Sequence, residues 1–392
     1  MPASLPGVRA LFILLGLLLV PSVALGWGFD GHRRLASVMQ DAMPADQCLR
    51  LWLKARQTAA LQDSACNPDR NRLTDPLEAP RHFLEIDWVN PAGNYPRDYA
   101  VAQTQLGVNN AKNNGQVPWR VRDQYALLVA AFASQNETQI LDTVFFFSHY
   151  VMDSFSLLHD TKNFDPNGLH SRWESEMLQL SANINGITTL STSYYGTAGR
   201  VDPVNNIFDI VGVGNSKVPD LIAADVATSS GMDASVHDIP AFYLAVKDLT
   251  ARRWGDAVTM MSSLIWSAWV QAGSPALAGF PTACSMAGPG SEIILKGFPV
   301  PGGFTHPGSD DGGFTIPDGG TGSAGGVGGA GGGVGGSGGG GSTGGGSGGG
   351  SAGGAGGSGG ADPGHPNGCG CASPGGLLLG AIALLWVRVR RR

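Results

Sequence analysis

The distribution of glycine limits what this chain can fold into. Most of the 60 glycines in the 392 residues fall in one block, from about Pro301 to Gly370. A stretch of Gly, Ser and Ala with few large apolar side chains cannot bury enough surface to offset the entropy of ordering. The foldable part is therefore confined to roughly residues 27–280, which is enough for one sizeable core. As a flexible tether, the tract of about 60 residues would have an r.m.s. span of roughly 40 Å.

Apolar residues recur with helical spacing around Leu35 to Met43, Gln124 to Ala133, Gln139 to Leu158 and Ala241 to Trp269, and no segment gives a convincing strand alternation. The pattern predicts an all-α body. The segments Asn90 to Pro96, Asn109 to Pro118 and Asp165 to Gly168 carry the Pro, Gly, Asn and Asp of turns. Trp88, Trp119 and Trp173 are expected in the core, because aromatic side chains are usually packing first.

Residues 1–26 read as a signal peptide: Arg9, the apolar run Ala10 to Val20, then the small residues Ala24 and Gly26. Cleavage after Gly26 would make Trp27 the amino terminus and offer its amine as a metal ligand. The expected organisation is then a body over 27–280, a connecting segment over 281–301, a linker over 302–368 and a C-terminal segment over 369–392. The formal net charge is −6, and removing the five positive charges of Arg9, Arg388, Arg390, Arg391 and Arg392 leaves −11. An acidic body argues against broad electrostatic capture of nucleic acid or an anionic membrane. In an oxidising compartment Cys48 and Cys66 are the candidate disulfide pair, Cys284 has no obvious partner, and Cys369 and Cys371 belong to the tail.

The C-terminal segment places Cys369 and Cys371 before a short apolar stretch, Leu377 to Val387, and an arginine cluster. About eleven residues of helix cover only roughly 16 Å, less than a bilayer core. The segment resembles the Cys-containing sorting signals of myxobacterial surface proteins (MYXO-CTERM type). That resemblance implies a short hydrophobic transmembrane helix, membrane association through the tail, and an exported protein held at the cell surface or outer membrane, or released after tail processing.

The strongest chemistry lies between positions 149 and 174. His149 and Asp153 at i and i+4 share one helix face, and so do His170 and Glu174, with His159 between the pairs. Imidazole with carboxylate suits zinc. Either pair alone would read as a solvated face or a satisfied core hydrogen bond, but the two together with Trp27 and His32 point to metal.

With these motifs the chain resembles the zinc-dependent phospholipase C and S1/P1 nuclease superfamily, from Trp27 to Glu174 in motifs and to about Trp269 in helical pattern. The resemblance implies an all-α multi-helix fold and three zinc ions. It assigns Asp69, His82, His149 and Asp153 to one ion, Trp27, His32 and a bridging Asp153 to a second, and His159, His170 and Glu174 to a third. Asp63 and Asp75 are alternatives to Asp69. The three remaining histidines, His237, His306 and His365, are expected bystanders.

The reaction so implied is phosphoester hydrolysis by metal-activated water, with Asp69 both ligand and general base. Glu174 and the short gap from His159 to His170 favour phospholipase C and a phospholipid substrate. The tight Trp27 to His32 spacing and the Asp69, Arg72, Leu73, Thr74 pattern favour a single-strand nuclease or 3'-nucleotidase, with nucleic acid only as substrate. A third reading is a surface binding protein with structural zinc. A monomer is expected.

Overall fold

The computed structural model describes residues 27–229 and 237–304. In chain order its α-helices are α1 (Gly28–Val38), α2 (Cys48–Arg56), α3 (Ala59–Ser64), α4 (Asn67–Asn71), α5 (Tyr99–Leu106), α6 (Val108–Asn113), α7 (Val117–Ser134), α8 (Glu137–Asp153), α9 (Leu169–Glu174), α10 (Ser181–Ser191), α11 (Asn205–Asn215), α12 (Val218–Thr228) and α13 (Ile239–Gln271). The described residues form no strand, only isolated bridges such as Leu84 to Gly115 and Thr197 to Ile294. The described residues are all-α, as the periodicity predicts.

α13 is the axis of the body. From Thr250 to Trp269 nearly every residue is buried, the pattern of a helix surrounded by others. It packs on α7, α8, α10 and α12. Asp238 caps its start by accepting from the Ala241 N–H, and Asn136 caps α8 through Gln139 in the same way. Residues beyond 280 also lie on this axis: Asp256 accepts from the N–H groups of Lys296, Gly297 and Phe298 at 3.2, 2.8 and 2.7 Å, and Ile293 and Leu295 are buried.

Three local expectations are corrected. The helix expected through Leu158 ends at Asp153, and a 3-10 turn at Leu157–His159 follows. That break turns His159 away from the line of α8. Asn109 to Pro118 is not all turn, because Val108–Asn113 winds into α6. Trp119 and Trp173 are core, but Trp88 is 41% exposed.

The disulfide is also corrected. Cys48 pairs with Cys284, with Cα atoms 5.0 Å apart, and Cys66 is a buried free thiol. The reason is register: Cys48 N–H donates to Ser285 O and Ser285 N–H to Asp46 O, so the 281–287 segment lies against the start of α2. Cys66 faces the Phe29 carbonyl instead.

No helix among the described residues is long and apolar enough to cross a membrane. The expected signal peptide, most of the linker, the C-terminal helix, His306, His365, Cys369 and Cys371 lie outside the described residues.

Candidate metal centre

Trp27 anchors the site to the core. Its ring packs on Trp173 and Trp254, with centroids 4.7 and 5.7 Å away, and its indole N–H donates to the Met152 carbonyl at 3.0 Å. Such aromatic pairs add roughly 0.5–1.5 kcal/mol beyond their area. The contact fixes the start of α1 against the end of α8, and one turn into α1 brings His32 to Asp153. His32 Nε2 lies 3.3 Å from Asp153 Oδ1, without the alignment of a hydrogen bond.

α8 delivers His149 and Asp153 from its last turn, and His149 Nε2 lies 3.0 Å from Asp153 Oδ2. Asp69 sits in the first turn of α4, with Oδ1 3.6 Å from His82 Nδ1 and 3.7 Å from His149 Nε2, and Oδ2 3.9 Å from His32 Nε2. Of the three candidate aspartates only Asp69 joins the cluster. Asp63 pairs with Arg33 and Arg70, and Asp75 with Arg81, both at the surface.

His82 reaches the cluster from a non-helical segment pinned to residues 114–117. Gln116 N–H donates to Pro80 O, Val117 N–H to Phe83 O, and Glu85 N–H to Asn114 O. The close approach requires Gly115. Its φ is 102°, and a Cβ there would sit 2.2 Å from the Phe83 carbonyl oxygen. His82 Nδ1 thus comes within 2.9 Å of Asp153 Oδ2.

The second group is compact. His170 Nε2 lies 2.7 Å from Glu174 Oε2 across one turn of α9, and His159 Nε2 lies 3.8 Å from the same oxygen. His159 Nδ1 is 3.9 Å from Asp153 Oδ1, so the two groups adjoin at that carboxylate. Three sets of side chains bring ligand atoms within 4.8 Å of one another: His32, Asp69, His149; His82, His149, Asp153; and His159, His170, Glu174. His237 belongs to none of them; its Nδ1 lies 3.2 Å from Asp225.

The donors fit metal by a test independent of spacing. His32 Nδ1 and Nε2, His82 Nε2, Asp153 Oδ1, His159 Nε2 and Glu174 Oε2 are buried polar atoms that make no hydrogen bond. Each such atom is unfavourable by roughly 1–3 kcal/mol, and cations held at Asp153 Oδ1, His159 Nε2, Glu174 Oε2 and one nitrogen of His32 would remove their share of it, whereas His82 Nε2 faces Glu78 Oε1 at 3.7 Å. On His159 the opposite ring nitrogen is fixed, Nδ1 lying 2.8 Å from the His82 carbonyl, and His149 Nδ1 likewise lies 2.8 Å from the Ala65 carbonyl while its Nε2 meets His82 Nδ1 at 3.0 Å. Carbonyl contacts at Nδ1 favour the tautomer in which Nε2 turns toward the cluster. These buried groups could hold metal ions, and their N and O donors suit several divalent cations.

Protonation follows burial and charge. Burial alone would lower His149, but Asp153 and Asp69 outweigh it and push it up to about 9. Burial would raise Asp153, but His149, His32 and His82 hold it well below the usual carboxylate range. For His82 and His159 burial prevails and lowers them, and it lowers His170 to about 4. Burial also raises Glu174, to about 8.

Sequence reasoning missed the supporting residues. Glu78 accepts from Tyr150 Oη and from Arg81 at 2.5 Å, and its Oε1 lies 3.7 Å from His82 Nε2. The signal was present, since Glu78 and His82 are an i, i+4 pair. Ser156 Oγ donates to Glu174 Oε1. Arg72 Nη1 lies 3.9 Å from Asp69 Oδ1, while its Nε and Nη1 are buried and donate no hydrogen bond.

Two surface cavities, of 370 and 550 Å³, are lined by other residues, including Tyr95, Arg97 and Phe208 in one and Arg33, Arg34 and Gln179 in the other. Neither cavity is lined by a residue of the three groups. Comparison with protein-family models and with curated proteins finds no match.

Proposed function

We propose that the body is a metal-dependent phosphoric ester hydrolase of phospholipase C type, holding three zinc ions and acting on phospholipid. The observation that carries this reading is the convergence of eight His, Asp and Glu side chains from separate segments, with buried donor atoms left without hydrogen bonds. Trp27 completes the proposed set through its amino and carbonyl groups once the signal peptide is removed. Bound divalent cations supply Lewis-acid polarisation of phosphoryl oxygens and make water acidic enough to ionise near neutral pH.

The protein's own groups do the rest. Asp153 turns one oxygen toward His82 and His149 and the other toward His32 and His159, which suits a carboxylate shared between two positions. Asp69 takes the proton of the attacking water. Arg72, with buried N–H groups not yet donating, meets an anionic phosphoryl oxygen as such donors do. Water adds to phosphorus, the bond to the departing alkoxide breaks, that oxygen takes a proton from solvent, and Asp69 returns its proton to solvent.

Lipid is favoured over nucleic acid by Leu73 and Leu77, which are 88% and 48% exposed on the loop beyond Arg72. Exposed leucines beside a phosphate-binding arginine suit an acyl-chain surface. The tight spacing of Trp27 and His32 and the Asp69, Arg72, Leu73, Thr74 pattern support the second reading, a single-strand nuclease. Export, retention through the tail and a monomeric state complete the proposal.

The test is turnover by zinc-reconstituted protein starting at Trp27, on phosphatidylcholine vesicles and on single-stranded RNA. Diacylglycerol release is expected. Nucleotide release alone would move the protein to the nuclease reading, and turnover of neither substrate would leave a surface binding protein with structural metal.

A further inference from the structure

α9 supplies two of the three ligands in the His159, His170, Glu174 group, yet it has only six residues. A helix of that length is not stable alone. It follows Asn167 and Gly168, both with positive φ, of 53° and 75°, and its first turn is held by one side chain, Asp165, whose Oδ1 accepts from the His170 N–H at 3.0 Å. Something in the tertiary structure must set its rotation.

His170 and Glu174 share one face, and Arg172, two residues from each, lies on the other. There its guanidinium makes a two-pronged pair with Asp225 of α12: Nε donates to Oδ1 at 2.9 Å and Nη2 to Oδ2 at 2.7 Å. Nη1 donates to the Asn167 carbonyl at 2.6 Å, tying the helix to the turn before it. Both side chains are largely buried. A second anchor, Trp173 Nε1 to Thr250 Oγ1 at 2.9 Å, holds α9 to α13. One anchor leaves a short helix free to roll, whereas two on different faces fix the direction of His170 and Glu174.

We infer that Asp225 is a positioning residue for the His159, His170, Glu174 metal subsite, acting through its fork with Arg172. The inference rests on the metal reading above. It adds a residue 51 positions beyond the last ligand, joined to the subsite through Arg172. Partners of this kind typically change metal affinity by about 10- to 100-fold when lost.

The experiment is zinc retention by the full chain during stepwise competition with a chelator, measured as zinc per chain, with circular dichroism and a melting curve on each variant. Asp225→Asn, which breaks one arm of the fork, should weaken one zinc by about 10- to 100-fold and leave the others within about twofold of wild type. His170→Ala is the reference and should lose that same zinc. If His170→Ala keeps wild-type zinc, the metal reading of this subsite fails whatever Asp225→Asn does. If His170→Ala loses zinc while Asp225→Asn keeps it, or if Asp225→Asn weakens every zinc equally, the positioning role fails alone. A lower melting temperature with unchanged zinc would likewise mark a merely structural pair. Should Asp225→Asn not fold, Arg172→Lys, which cannot make the fork, is judged by the same criteria.

Discussion

Gly214 offers a sharp test of how the segment between Asp153 and His159 is held. It lies in α11, and a Cβ built on it would sit 1.8 Å from Asp160 Oδ2 and 2.8 Å from Arg253 Nη2. Neither neighbour has room to retreat. Arg253 is buried on α13 and donates to the carbonyls of Phe155 at 2.9 Å, Ser154 at 3.2 Å and Ile210 at 3.4 Å, with Asp160 Oδ2 at 3.5 Å. Asp160 directly follows His159. Overpacking costs about 1–3 kcal/mol, and disturbing a buried pair adds up to about 3–5. Burial holds Asp160 well above the usual carboxylate range despite Arg253, so the second contribution belongs at its low end. Alanine's helix preference returns roughly 1 kcal/mol. The expected net loss for Gly214→Ala is about 3–5 kcal/mol.

Gly212, in the same helix, is the matched control, because nothing lies within 4 Å of its added Cβ. Gly212→Ala should be neutral or stabilising by up to about 1 kcal/mol. Urea titration of both variants at constant m measures the difference. A gap between them below about 0.5 kcal/mol, well under what overpacking requires, would refute the claim that Asp160 and Arg253 form an unyielding clamp.

Other expectations follow from the same geometry. His149→Ala and Asp153→Ala should each abolish phosphodiester turnover and lower zinc content, and full activity in either would sink the site assignment. Non-reducing digestion should yield a Cys48 to Cys284 linked peptide; a Cys48 to Cys66 peptide would overturn the observed pairing. Replacing both bridged cysteines should lower stability by about 2–5 kcal/mol, read from the denaturation midpoint. In the metal-free protein His149 and Glu174 have folded values of about 9 and 8, above the ordinary 6.5 and 4.5. The stability they contribute is complete below those ordinary values and lost as pH rises through the folded ones, so metal-free protein should weaken between pH 6.5 and 8. His170, lowered to about 4, acts in the opposite sense, but only below pH 6.5. Ligation must expel both protons, so zinc binding at pH 7 should release at least these two, with a further one from the Trp27 amine where it ligates. Calorimetry in buffers of different ionisation enthalpy would detect them, and no buffer dependence would contradict the protonation described here.

What the sequence determined by itself was local in origin. The helical spacing of apolar residues foretold an all-α body, and the i, i+4 pairs His149, Asp153 and His170, Glu174 were readable because one helical turn separates their members whatever surrounds them. The Glu78 and His82 pair had the same spacing but went unread beside a non-helical ligand. Tertiary structure decided what depends on distant segments meeting. It chose Asp69 over Asp63 and Asp75 by burying one and leaving the others to surface arginines. It paired Cys48 with a cysteine 236 positions away, and ended α8 at Asp153 so that His159 turns toward Glu174. It also set Arg253 against Asp160 and Asp225 against Arg172. Charge pairs of this kind leave no periodic trace in a sequence, since their partners are chosen by burial, where an unpaired charge is too unfavourable to persist.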